Sequence, residues 1–155
     1  MTTNPSPLPP ITPTGFIGNR EFILTEWRFL LFGLLMAFWS SLGQTFFISL
    51  FSGQIRAALD LSHGDFGTYY ALATTASAIS LIWLGKLADM MRLEKLAIFI
   101  LGSLCLAAIL FSQISSLWML VGGLYLLRMF GQGMMTHVYT TAMARRYVVT
   151  RGRAI

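Results

Sequence analysis

Four apolar runs separated by short polar connections organise the chain. They lie at about Trp27–Phe51, Asp65–Ala88, Leu96–Phe111 and Leu117–Ala144. Each is near or above the roughly 20 residues that a helix needs to cross a bilayer. Hydrocarbon offers backbone amides no water, so spans in this pattern must be helical. The predicted fold class is therefore an all-α membrane protein with four transmembrane helices. Residues 1–26 read as a cytoplasmic disordered tail, because five prolines among the first thirteen residues leave nothing able to bury a core. Residues 52–64 and 112–116 read as outer loops and 89–95 as a cytoplasmic loop, while 145–155 form a cytoplasmic segment leading to a further helix.

Within the first run, Ser40 and Gln44 share a helical face with Gly33 and Met36 or Ala37, and an amide at Gln44 needs a polar partner. Ser62-His-Gly-Asp65 has the spacing of a capping box at the start of the second helix. Gly67, Ala71, Thr74, Ala78 and Gly85 read as a small-residue seam for close packing. Tyr69, Tyr70 and Trp83 suit the two membrane interfaces. His63 reads as a solvated loop residue.

The fourth run holds an arginine, Arg128, with Gly122, Gly123, Gly131, Gly133 and Gln132 around it. A cation inside a bilayer costs at least about 2.5–3.5 kcal/mol on insertion scales, so it faces a partner or a wet cavity. Arg128 lies eleven residues beyond Leu117, about 17 Å down at 1.5 Å per residue and near the middle of the hydrocarbon. Ser40 reaches a similar depth from the other side, so Arg128, Ser40 and Gln44 meet if the first and fourth helices face one another. Gln132 shares the face of Arg128 one turn inward. His137 lies nine residues on, about 180° round an α-helix, and reads as a buried structural histidine pointing away.

Composition removes several function classes. The chain is 55% hydrophobic and 11% charged, against about 25% charged in soluble domains. The net charge of +5 does not read as nucleic-acid binding, since its placement has another cause. Nine of the eleven Lys and Arg residues fall on one side: Arg20 and Arg28, then Lys86, Arg92 and Lys95, then Arg145, Arg146, Arg151 and Arg153. Arg56 stands alone on the other side. That bias puts both termini in the cytoplasm of a cell (inner or plasma) membrane protein. Cys105 is the single cysteine and reads as a packing residue. The chain carries no HExxH, CxxC, GxSxG or Walker-type pattern, and no span contains paired carboxylates. Neither an enzyme nor a metal or cofactor site is expected.

Two stretches resemble a known family. Gly85-Lys-Leu-Ala-Asp89, followed by Arg92 and Lys95, is similar to the loop signature of the major facilitator superfamily between its second and third helices. Leu124, Arg128, Gly131 and Gly133 resemble its fourth-helix motif. Met90 stands where that family usually has a basic residue, Arg92 where its pattern has glycine, and Gln132 where the fourth-helix motif commonly has glycine. The resemblance implies a twelve-helix fold built from inverted repeats, with a solute site at the midplane. It also implies that this chain is the N-terminal part, with a missing C-terminal part as partner. By the same resemblance Gly85, Asp89 and Arg92 would form a gating loop, with a solvated turn as the plainer alternative.

The function expected is secondary active transport of a small-molecule substrate across the lipid bilayer by alternating access. The substrate-binding candidates are Arg128, Gln44, Ser40 and Gln132, and the absence of Asp and Glu from the interior of the spans favours an organic anion. A stand-alone four-helix membrane protein acting by helix association is one alternative, and a drug or metabolite efflux transporter is another.

Overall fold

A computed structural model describes residues 19–86 and 90–147. The expectations for residues 1–18, for Asp89 and for the segment after Tyr147 fall outside these described residues, whereas residues 19–26, expected as part of a disordered tail, form the start of the first helix. Among the described residues all regular structure is helical, in four passes.

The first pass is α1 (Asn19–Ser40), a 3-10 turn (Ser41–Gly43) and α2 (Thr45–Leu59). Gln44 between them is extended, at φ −79° and ψ 151°. The cause of the break is local. Ser40 and Ser41 donate back to the carbonyls of Ala37 and Phe38, at 2.7 and 2.5 Å. Such bonds compete with the helical ladder, and Gly43 follows with little helix preference of its own.

Helix α2 then runs on through residues 52–59, expected as loop. Arg56, Ala57, Ala58 and Leu59 are good helix formers. The helix ends where Asp60 turns left-handed at φ 51°, a conformation aspartate tolerates. The connection between the first two passes is thus only Asp60 to Ser62.

Helix α3 (His63–Leu84) opens on the predicted capping box. Ser62 Oγ accepts from the Asp65 amide at 3.1 Å, and Asp65 Oδ2 accepts from the Ser62 amide at 3.2 Å. Helix α4 (Leu93–Ser112) presents a buried stripe of Leu96, Ile100, Leu104 and Ala107. Cys105 lies off that stripe and is exposed, contrary to expectation. The fourth pass is α5 (Leu117–Leu126), a π-helical segment (Leu127–Met135) and α6 (Thr136–Arg146), wound without a gap. Two helical stretches, Phe22–Leu59 and Leu93–Ser112, are by themselves long and apolar enough to cross a membrane.

The fourth pass is the hub. It packs against all three others and supplies most of the fully buried large side chains, among them Leu120, Leu124, Leu127, Met134, Met135 and Val138. Apolar residues such as Trp118 (83% exposed), Ile98 (73%) and Leu24 (72%) cover the outside. A soluble surface avoids such a girdle.

The buried side of α3 is Ala73 and Ser77, with Tyr70, Ser80 and Leu81 half-buried. Gly67, Ala71 and Ala78 are exposed, so the small-residue seam does not form the tight contact expected of it.

The N-terminal end of the first pass is clamped to the C-terminal end of the fourth. Arg146 pairs with Glu26 at 2.7 Å and stacks 4.7 Å over the Phe29 ring. Tyr147 donates to the same carboxylate at 3.0 Å and meets Phe22 edge-on.

Candidate functional site: a polar groove beside Arg128

The first and fourth passes cross on two glycines. A Cβ on Gly43 would overlap the Leu127 carbonyl oxygen and come within 2.6 Å of the Gln132 amide nitrogen. A Cβ on Gly131 would lie 2.8 Å from Gly43. This contact brings Arg128 against the break in the first helix. Its Nη1 donates to the Gly43 carbonyl at 3.3 Å and to Thr45 Oγ1 at 3.2 Å. Its guanidinium lies 5.4 Å from the centre of the Tyr70 ring, within the range of a cation–π contact. Thr45 and Tyr70 are themselves joined by a 2.8 Å hydroxyl–hydroxyl bond. Every one of these partners is neutral. Among the described residues no carboxylate pairs with Arg128, and Nε and Nη2 make no hydrogen bond.

The expected depth match between the first and fourth helices is thus present, but different side chains use it. Ser40 is buried and turned back on its own helix. Gln44 is half-buried beside the arginine seat without bonding to it. Helical spacing carried forward from Ser40 cannot place Gln44, because the chain leaves the helix between them. The open backbone at that break supplies the acceptor instead.

From Arg128 a groove of about 390 Å³ runs between α3 and the fourth pass, toward the C-terminal end of that pass. Thr74, Ser77 and Leu81 line one side; Arg128, Gln132, Thr136, His137 and Thr140 line the other. Gln132 therefore does share the site. His137 shares it too and is exposed, which corrects the reading of a buried histidine pointing away. The π segment is the reason. Bonding from i to i+5 turns the chain through only about 80–85° per residue, bringing His137 to within roughly 60° of Arg128.

Three oxygens in this groove wall, Thr74 Oγ1, Gln132 Oε1 and Thr136 Oγ1, are buried and have no hydrogen-bond partner. Each such orphan ordinarily costs about 1–3 kcal/mol. Tyr70, Thr74 and Ser77 recur at i, i+4 and i+7, a polar stripe that sequence spacing could have revealed. A larger cavity of about 460 Å³, among Leu42, Phe47, Phe51, Ile55 and Phe111, is almost wholly apolar and has no charge to orient a solute.

At the loop, Gly85 caps α3 and Arg92 precedes α4. Arg92 makes a 3.4 Å pair with Glu94, both largely exposed, of a kind that contributes little.

The family model of the Major Facilitator Superfamily matches residues 2–155. The chain belongs to that superfamily. No curated protein and no solved structure matches it. As a major facilitator protein it is a multi-pass membrane transporter of small molecules, and its exposed apolar girdle is the surface such a protein gives to lipid. Arg128 and its groove are where this member of the superfamily concentrates polar chemistry within the apolar bundle.

Proposed function

We propose that this protein is a secondary active transporter that carries a small organic anion by alternating access, with Arg128 as the anion-reading residue. The observation that carries the reading is an unneutralised guanidinium whose Nε and Nη2 are unbonded beside a polar groove. Nη1 is anchored to Gly43 and Thr45, so the rest of the planar fork is held in place for a carboxylate. Gln132 lies on the groove wall one turn inward and contacts the same solute, while Ser40 and Gln44 support the arginine seat.

The orientation follows from the basic residues, nine to one across the membrane, with both termini in the cytoplasm. The loop at Gly85, Asp89 and Arg92 then lies inside and acts as the gate. Further helices complete the machine, because alternating access requires one bundle to rock against another.

A second reading is a structural arginine that pins the helix break through Gly43 and Thr45. Arg128→Lys and Arg128→Ala in the membrane-embedded protein separate the two. Anion reading predicts a folded protein whose affinity is strongly reduced by lysine and abolished by alanine. Normal affinity in a stable Arg128→Ala protein would refute it, and loss of thermal stability with residual affinity would favour the structural arginine.

A further inference from the structure

The three orphan oxygens are the least explained feature of the groove. Hydroxyls on membrane helices normally bond back to a carbonyl three or four residues earlier. Ser77 does so to Thr74, and Thr140 to Thr136, both at 2.7 Å. Thr74 and Thr136, the residues that receive those bonds, leave their own hydroxyls without a partner, and Gln132 leaves its amide oxygen so. All three residues line the same groove as Arg128. Unpaired buried acceptors gathered beside a cation describe the complement of a solute that has both a negative group and hydrogen-bond donors.

We propose that the groove selects a hydroxylated carboxylate, whose hydroxyl groups donate to Gln132, Thr74 and Thr136 while its carboxylate meets Arg128. The terminal amide torsion of Gln132 is soft, and a threonine can exchange rotamers, so each oxygen can turn into the groove. Hydroxyl donors fit better than an ammonium group, because among the described residues none that lines the groove is a carboxylate. An ammonium would add a second cation next to Arg128, whereas a hydroxyl donates without charge. The space of about 390 Å³ is adequate for a solute of a few carbons. This inference rests on the reading of Arg128 as the anion site, and adds Thr74 and Thr136 as specificity-determining residues.

The test compares acids matched in charge and length, glycerate with propionate and gluconate with hexanoate, by ligand-induced thermal stabilisation of the purified membrane-embedded protein. The hydroxylated acid of at least one pair should bind about tenfold or more tightly than its plain partner. Gln132→Met should collapse that preference, weakening the hydroxylated acid at least about tenfold more than the plain one. Thr74→Val and Thr136→Val should do the same while raising the melting temperature of the ligand-free protein, since each removes an unpaired buried hydroxyl. Merely structural threonines would lower it. Equal binding within both pairs, with all binding lost in Arg128→Ala, overturns the hydroxyl inference and leaves the anion reading standing. Failure of all four acids to bind overturns both.

Discussion

Replacing Gly43 by alanine tests the arrangement on which the arginine seat depends. The added Cβ would overlap the Leu127 carbonyl oxygen and lie 2.6 Å from the Gln132 nitrogen and 2.9 Å from the Gly131 Cα. All three obstacles are backbone, so no side-chain rotation relieves them. The two passes must part by roughly 1 Å, and overpacking of this kind typically costs about 1–3 kcal/mol. The same movement stretches the 3.3 Å bond from Arg128 to the Gly43 carbonyl. Gly102→Ala in α4 is the control, because a Cβ there meets nothing within 4 Å. It should be neutral or stabilise by up to about 1 kcal/mol, since glycine is a poor helix former. Thermal unfolding of the two purified variants should therefore shift in opposite senses, or Gly43→Ala alone should fall. Combining Gly43→Ala with Gly131→Ala should cost less than the separate losses added, because both fill one contact. A Gly43→Ala protein as stable as Gly102→Ala would refute the glycine crossing.

Further outcomes are expected at the edges of the bundle. Ser62→Ala should lower stability by about 1 kcal/mol through loss of the helix cap, read as a lowered melting temperature. The Glu26 carboxyl, just before the apolar run, is held below its usual range chiefly by the hydrogen bond from Arg146. Its contribution is present above the ordinary glutamate pKa and is lost as pH falls through the lowered value. Spin labels on the inner ends of the first and fourth passes should separate in acid, and Glu26→Gln should remove that response. Cysteine labelling should reach Asp60 to Ser62 and 112–116 from outside and Gly85 to Lys95 from inside; labelling of the latter from the outer face would reverse the orientation. Asp89→Asn should slow transport with expression intact, and an unchanged rate would return the loop to a solvated turn.

Much of the architecture was legible in the apolar pattern, because hydrocarbon forces long helices and a capping box marks its own start. The level at which Arg128 meets the first pass was also legible, since the count from Leu117 runs almost wholly along α5 and enters the π segment only at its end. What failed was phase. Gln44 and His137 were each placed by 100° steps through a stretch that is not α-helical. Leu59 lay beyond the expected end of the first helix because Gly53 does not stop the chain and the helix formers Arg56 to Leu59 carry it on to Asp60. Thr45 and Tyr70 were visible as polar residues, but nothing local marks them as partners of an arginine 83 and 58 positions away.

Both departures from regular winding occur at one level, and each makes room for the other. Gly43 and Gly131 let the two backbones touch, with no Cβ on either side to keep them apart. On the first pass the chain breaks and frees the Gly43 carbonyl for Arg128. On the fourth it widens into the π segment, a winding frequent at functional sites. The wider turn swings Thr136 and His137 toward α3, onto the face of the groove that Arg128 already occupies. With regular α winding at both places the Gly43 carbonyl would be bound into its own helix and His137 would lie across the helix from Arg128. The polar groove and the seat of its arginine thus follow from one close helix crossing.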